Sequence, residues 1–132
     1  MIARNHEGKI SVIVPWWDHT ELLNIWEVNL EHLDKTQIIF VDNGSQPQGK
    51  LELEQFCSKH NIELIRNKEN RGFSAANNQG LEIATSEYIL YLNNDVEILK
   101  FPAQLICNLA GEGISGPGFI QNELGENYLE GW

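Results

Sequence analysis

Positive charge is scarce in this chain. Its 132 residues hold nine Lys and Arg against nineteen Asp and Glu, a formal net charge of −10. A duplex-binding protein shows a basic stripe, and none is present, so no nucleic-acid partner is expected. An anionic membrane surface is disfavoured for the same reason. Cysteine is limited to Cys57 and Cys107, far apart and each flanked by apolar residues. They read as two reduced, buried thiols rather than a disulfide or a metal pair. Long apolar runs are absent, and nothing approaches the roughly 18 residues of a membrane span. The start, Met1 to Lys9, is polar and lacks the apolar stretch of a secretory signal. A cytoplasmic location follows as the default expectation. The four His show no metal-ligand spacing with each other or with the cysteines, and no G-x-S-x-G nucleophile elbow occurs.

What is present is a chain of one-domain size with 42% hydrophobic residues, enough for a single core. The pattern alternates strand and helix. Lys9–Val14 (KISVIV) reads as a buried strand. Asp18 and Glu21 offer a capping-box-like pair to a helix whose apolar face is Leu22, Trp26, Leu30 and Leu33. Gln37–Val41 (QIIFV) is the second strand. The Asn43-Gly44 pair after it reads as a strand-to-helix turn, because Leu51, Leu53 and Phe56 follow at helical spacing over Lys50–His60. Glu63–Arg66 is a third, short strand. Ser74–Ala84 is a small-residue helix capped by Ser74. Tyr88–Leu92 (YILYL) is an unbroken apolar strand, which predicts a central position. Pro102 suits the start of a helix over Ala103–Ala110, followed by a glycine-rich link, a short strand near Ile114 and a turn at Gln121–Glu126. The expected fold class is α/β, a mostly parallel sheet flanked by helices.

Such sheets bind ligands beyond the carboxyl ends of their strands. Those ends carry Pro15–Asp18, Asp42–Ser45, Asn67–Gly72 and Asn93–Asp95, where Asp, Asn and Gly concentrate. Asn93-Asn94-Asp95 offers a carboxylate and two amides, oxygen ligands for a hard cation that would bridge an acidic protein to an anionic diphosphate. Alone, the same tripeptide reads as a polar turn. Asp42 fits a base edge or a ribose, and equally an Asx-turn or helix cap. Arg71 brings a planar donor fork and Gly72 a close backbone approach. Ala75, Ala76, Asn77 and Asn78 form a small, polar helix start beside which a ligand fits. Of Trp16 and Trp17, one is expected to stack on a base and the other to pack. Gly111–Gly116 matches G-x-G-x-x-G literally but follows a helix and precedes a strand, the reverse of the dinucleotide context.

Five segments, in order, resemble family 2 glycosyltransferases of the GT-A fold. They are Ser11–Val14 with Pro15, Ile38–Ser45 (IIFVDNGS), Asn70–Gly80 (NRGFSAANNQG), Tyr88–Asp95 (YILYLNND) and Gly113–Gly118 (GISGPG). The third and fourth are the most specific. The resemblance implies a single Rossmann-like, nucleotide-sugar-binding domain over residues 1–132. It implies transfer of a sugar from a nucleoside-diphosphate donor, most often UDP-linked, to a glycan, lipid-linked or small-molecule acceptor. By likeness, Asp42 with Asn43 contacts the base, and Arg71 and Gly72 lie along base and ribose. Pro15, Trp16 and Asp18 border the nucleotide, as do Ala76 and Asn77. Asn93-Asn94-Asp95 stands in place of the D-x-D motif, with Asp95 as ligand to Mn²⁺ or Mg²⁺.

Two departures qualify this. Asn fills the first two positions of the D-x-D-like motif, which implies weaker metal binding. Relatives also continue into an acceptor-binding half that carries the carboxylate base of inverting transfer, whereas this chain stops at Trp132. That reads as a truncated domain, expected to bind donor but to transfer slowly or not at all. The surface meant for the absent half favours self-association, so a homo-oligomer is a further expectation. The alternative is a non-catalytic nucleotide-binding module of the same fold. A nucleotidyltransferase ranks last, because Pro15-Trp16-Trp17-Asp18-His19 stands where its glycine-rich basic loop belongs.

Overall fold

A computed structural model describes residues 6–101, 103, 107, 118–121 and 127–130. They fall into two units, Met1–Phe101 and Pro102–Trp132. The first unit runs β1 (His6–Trp16), a 3₁₀ turn (Thr20–Leu22), α1 (Leu23–His32), β2 (Lys35–Asp42), α2 (Pro47–His60), β3 (Glu63–Arg66), α3 (Phe73–Ile83) and β4 (Tyr88–Tyr91). Its four strands form one parallel sheet in the order β3-β2-β1-β4. The second unit contains an antiparallel pair, β5 (Gly118–Gln121) and β6 (Asn127–Glu130). The expected strand near Ile114 and the G-x-G-x-x-G match lie outside the described residues, as does most of the expected helix over Ala103–Ala110.

Both faces of the sheet are covered, which explains why Val12–Val14 of β1 and Ile38–Val41 of β2 are apolar without interruption. On one face Ile13, Ile39 and Val41 pack on Ala76 of α3, all fully buried. Gly80 lets α3 sit directly on Ile13, since a Cβ there would overlap that side chain. Elsewhere in the core an aromatic cluster joins four elements of the unit, β1, β2, α1 and α2. Phe40 of β2 stacks on Trp16 at 5.1 Å and meets Trp26 of α1 edge-on at 5.1 Å. Phe56 of α2 stacks on Phe40 from 6.1 Å. Cys57 is buried beside this layer, and desolvation pushes its thiol up to about 12. Cys57 and Cys107 are both free and buried.

Several local expectations change. Tyr88–Leu92 is not central: β4 forms the edge of the described sheet and is only partly buried, while β1 and β2 hold the middle. Apolar content alone does not distinguish an edge strand covered on its faces from a central one. Leu51 is exposed, and α2 buries Gly49, Leu53, Phe56 and Cys57 instead. Neither the 3₁₀ turn nor α1 carries a side-chain cap. Asp18 serves α2: its Oδ1 accepts the Gln46 N–H at 2.7 Å. Gly72, rather than Ser74, is the N-cap residue of α3.

Candidate functional site

Register brings the carboxyl ends of the strands to one edge. Trp16 pairs with Asp42 and Asp42 with Arg66, so β1, β2 and β3 end in one row. On the other side of β1, Tyr91 pairs with Ile13, and the Leu92 N–H donates to the Ile13 carbonyl at 3.0 Å. The residues after β4 therefore run beside Pro15–Trp17. Strand order reverses at β1, whose neighbours are β2 and β4, and a crevice opens at such a switch point. A cleft of about 370 Å³ lies there.

Its lining comes from four connections. Pro15 and Trp16 close β1, Trp17 and His19 follow it, and Asn43 follows β2. Asn70 and Phe73 come from the β3–α3 connection, and Asn93, Asn94 and Asp95 follow β4. Of the expected site residues, the cleft thus gathers Pro15, Trp16, Asn43, Asn93, Asn94 and Asp95. The two Trp divide the work: Trp16 is 1% exposed and belongs to the aromatic core, whereas Trp17 is 50% exposed. Of the two, Trp17 has the ring face open to solvent, with exposed Phe73 also on the lining.

Asn43 organises the floor. Its Nδ2 donates to Asn70 Oδ1 at 2.8 Å and to the Gly72 carbonyl at 3.2 Å. Its Oδ1 accepts the Arg71 N–H at 2.9 Å and Asn67 Nδ2 at 3.2 Å. Asn67 and Gln79 exchange a reciprocal pair of amide bonds, both 2.7 Å, tying the loop to α3. These bonds, all within the protein, shape the loop carrying Arg71. The close approach that makes this possible occurs at Gly44, where φ is +87° and a Cβ would come within 2.6 Å of the Glu69 carbonyl carbon. Gly72 also has positive φ, +90°, but open space around it.

The remaining expected residues sit apart from the lining. Asp42 is 0% exposed: its Oδ1 accepts the Ser45 N–H at 2.9 Å and its Oδ2 meets Arg66 Nη1 at 3.5 Å. In this state its carboxylate stabilises the turn into α2. Asp18, at a left-handed φ of 48°, is bound to that same turn by Ser45 Oγ and the Gln46 N–H. Arg71 is exposed. Ala76 is core, and Asn77 is buried with an Oδ1 that has no hydrogen-bond partner among the described residues.

Among the described residues no three His, Cys, Asp or Glu side chains converge to hold a metal ion. The cleft offers one carboxylate, Asp95, and the amides of Asn93 and Asn94. That set is all oxygen, and it fits Mg²⁺ or Mn²⁺ if phosphate oxygens and water complete the shell. Sequence reasoning missed what supports this turn. Trp26 Nε1 donates to the Asn94 carbonyl at 2.8 Å, and buried Asn29 bonds Val96 and Ile98. The available signal was Asn29 itself, a polar residue inside the apolar stripe Trp26–Leu30–Leu33.

Comparison with known proteins agrees with this architecture. The family model for Glycosyl transferase family 2 matches residues 11–103. The cholesterol galactosyltransferase of Borreliella burgdorferi is 31% identical over 108 residues, 80% of this chain and 30% of that protein. The glycosyltransferase AglE of Haloferax volcanii is 31% identical over 83% of this chain and 36% of its own length. Among solved structures, S. aureus TarS in complex with UDP-GlcNAc superposes with a TM-score of 0.60 at 27% identity, covering 79% of this chain and 31% of that one. A Pyrobaculum calidifontis mannosyltransferase in complex with GDP-Man and Mn²⁺ shares the fold, with a TM-score of 0.61 at 23% identity over 82% of this chain and 32% of that one. The chain spans about a third of the length of these relatives.

Proposed function

This chain belongs to glycosyl transferase family 2, and from that premise we propose that its cleft binds the nucleoside-diphosphate part of a sugar donor, UDP-linked by preference. The observation that carries the reading is the convergence at one switch point of an exposed Trp17, the Asn43-organised loop and the Asn93–Asp95 turn. Trp17 supplies a face for the base. Arg71, exposed on the loop that Asn43 holds, supplies a positive charge to a ligand that an acidic chain otherwise repels. Asp95, with Asn93 and Asn94, would hold a divalent cation, whose chemistry is to neutralise the diphosphate as it leaves the sugar. Residues 1–132 form the donor-binding domain in this reading.

For the protein as a whole the reaction is sugar transfer to a hydroxyl acceptor with inversion at the anomeric carbon. No side chain among the described residues is assigned as the base for that hydroxyl. The UDP-GlcNAc held by TarS, a relative of the same fold, motivates the choice of UDP as first probe. Calorimetric titration with UDP, in Mn²⁺ and in EDTA, tests the reading. It expects metal-dependent binding that Asp95→Ala abolishes. Binding of equal strength with and without metal, unaffected by Asp95→Ala, would remove the metal–diphosphate site.

A further inference from the structure

Two buried side chains of α1 reach the backbone on both sides of Asp95. Trp26 Nε1 donates to the Asn94 carbonyl at 2.8 Å. Asn29 Nδ2 donates to the Val96 carbonyl at 2.8 Å, and Asn29 Oδ1 accepts the Ile98 N–H at 2.8 Å. Both residues are 0% exposed. Three positions apart, they share one face of the helix. The Asn29 amide takes a carbonyl and the N–H two residues further on, the pair of groups that a neighbouring strand takes from an extended segment. A buried amide costs free energy unless both its ends are bonded. Here both ends are bonded, and both go to the stretch that follows Asp95.

We propose that Trp26 and Asn29 are positioning residues that set the direction in which Asp95 meets a divalent cation carrying a nucleoside diphosphate. The inference rests on the donor-site reading above. Trp26 anchors the peptide before Asp95, the Val96 N–H donates to the Asn93 carbonyl at 3.3 Å and holds the peptide after it, and Asn29 anchors the next one, so the backbone on both sides of Asp95 is held. Among the described residues Asp95 is the single carboxylate on the cleft lining, so no second one of these offsets a misdirected ligand. Outer-shell partners of this kind change metal affinity by roughly 10- to 100-fold. Trp17, on the other strand end, has no hydrogen bond to either residue among those described; Asn29 has no ring contact with the aromatic cluster, whereas Trp26 meets Trp16, the neighbour of Trp17, edge-on at 6.4 Å.

The test is titration of UDP into the whole chain, in Mn²⁺ and in EDTA, for wild type, Asn29→Leu and Trp26→Phe. Leucine fills similar volume and removes both amide bonds. Phenylalanine keeps an aromatic ring in the core and removes only the N–H, so it serves where Asn29→Leu does not fold. The expected result is a fall of about tenfold in the ratio of Mn²⁺ to EDTA affinity for either variant, with little change in EDTA. In an Asp95→Ala background neither variant lowers the ratio further. An unchanged ratio in wild-type background, or an equal loss in EDTA, overturns the positioning role and leaves the donor site standing. Absence of any Mn²⁺ effect in wild type overturns the donor-site reading, and this inference with it.

Discussion

Replacing Gly44 by Ala measures how tightly the two loops of the site are joined. Gly44 has φ of +87°, and a Cβ built there lies 2.6, 2.7 and 2.8 Å from the Glu69 carbonyl carbon, Glu69 Cα and Asn70 N. All three neighbours are backbone, so no side chain can swing aside. The left-handed conformation costs an L-residue about 1–2 kcal/mol. The overlap adds about 1–3 kcal/mol, as for an inserted methyl in a packed interior. Together they predict a loss of about 2–5 kcal/mol. Gly72→Ala is the control, with φ of +90° but nothing within 4 Å of the added carbon. It carries conformational strain alone, about 1–3 kcal/mol. Urea unfolding followed by far-ultraviolet dichroism measures both. Gly44→Ala should be the more destabilised, by about 1–2 kcal/mol between the mid-points of the two ranges, with an unchanged m-value. Equal losses, or a milder effect at Gly44, would refute the claim that backbone contact between residues 44 and 69–70 shapes the site.

Other perturbations separate packing from binding. Trp16→Ala should cost about 3–5 kcal/mol of stability by emptying the aromatic cluster, whereas Trp17→Ala should leave the melting temperature nearly unchanged and weaken UDP binding by about 1–3 kcal/mol. Thermal melts and calorimetry on the two variants distinguish them. Cys57, raised to about 12 by burial, should resist thiol reagents at pH 8 until the protein is unfolded. Its folded value lies above the unfolded one. The associated stability is therefore fully present below the ordinary thiol range and is lost as pH rises toward about 12. A Cys57→Ala variant should show a shallower alkaline decline in unfolding free energy, and an identical decline would contradict the assignment. Asn43→Ala frees four hydrogen-bonding partners around Asn67–Gly72. Amide exchange at Arg71 should accelerate by about 5- to 30-fold, corresponding to the loss of roughly 1–2 kcal/mol of local protection.

The parallel sheet was legible because β1 and β2 are apolar on both faces and are punctuated by residues that end strands. The site was legible through one rule, that ligands gather beyond the strand ends of such a sheet. Trp16 and Trp17 are adjacent and alike in sequence, and only packing against Phe40 and Trp26 decides which is core. Ligand contact for Asp42 and Asp18 is what the family resemblance implies; local pattern leaves a cap or turn role equally open, and hydrogen bonds to Ser45 and Gln46 tie both to the turn before α2. Asn29 carried a signal, a polar residue on a buried stripe, but its partners are 67 and 69 positions away and no local pattern names them. The edge position of β4 depends on strand order, which composition does not encode.

The most direct test of the central claim is to locate the metal on the protein. Amide spectra of the isotope-labelled chain would be recorded with UDP and trace Mn²⁺, against a Mg²⁺ reference. Paramagnetic broadening should centre on Asn93–Asp95 and reach Trp17, Asn43 and Asn70, while Gln37 near the start of β2 and Thr85 in the connection before β4, joined by hydrogen bonds, stay sharp. Broadening centred on exposed Glu residues, and absent from the 93–95 turn, would contradict the assignment of this cleft as the donor site.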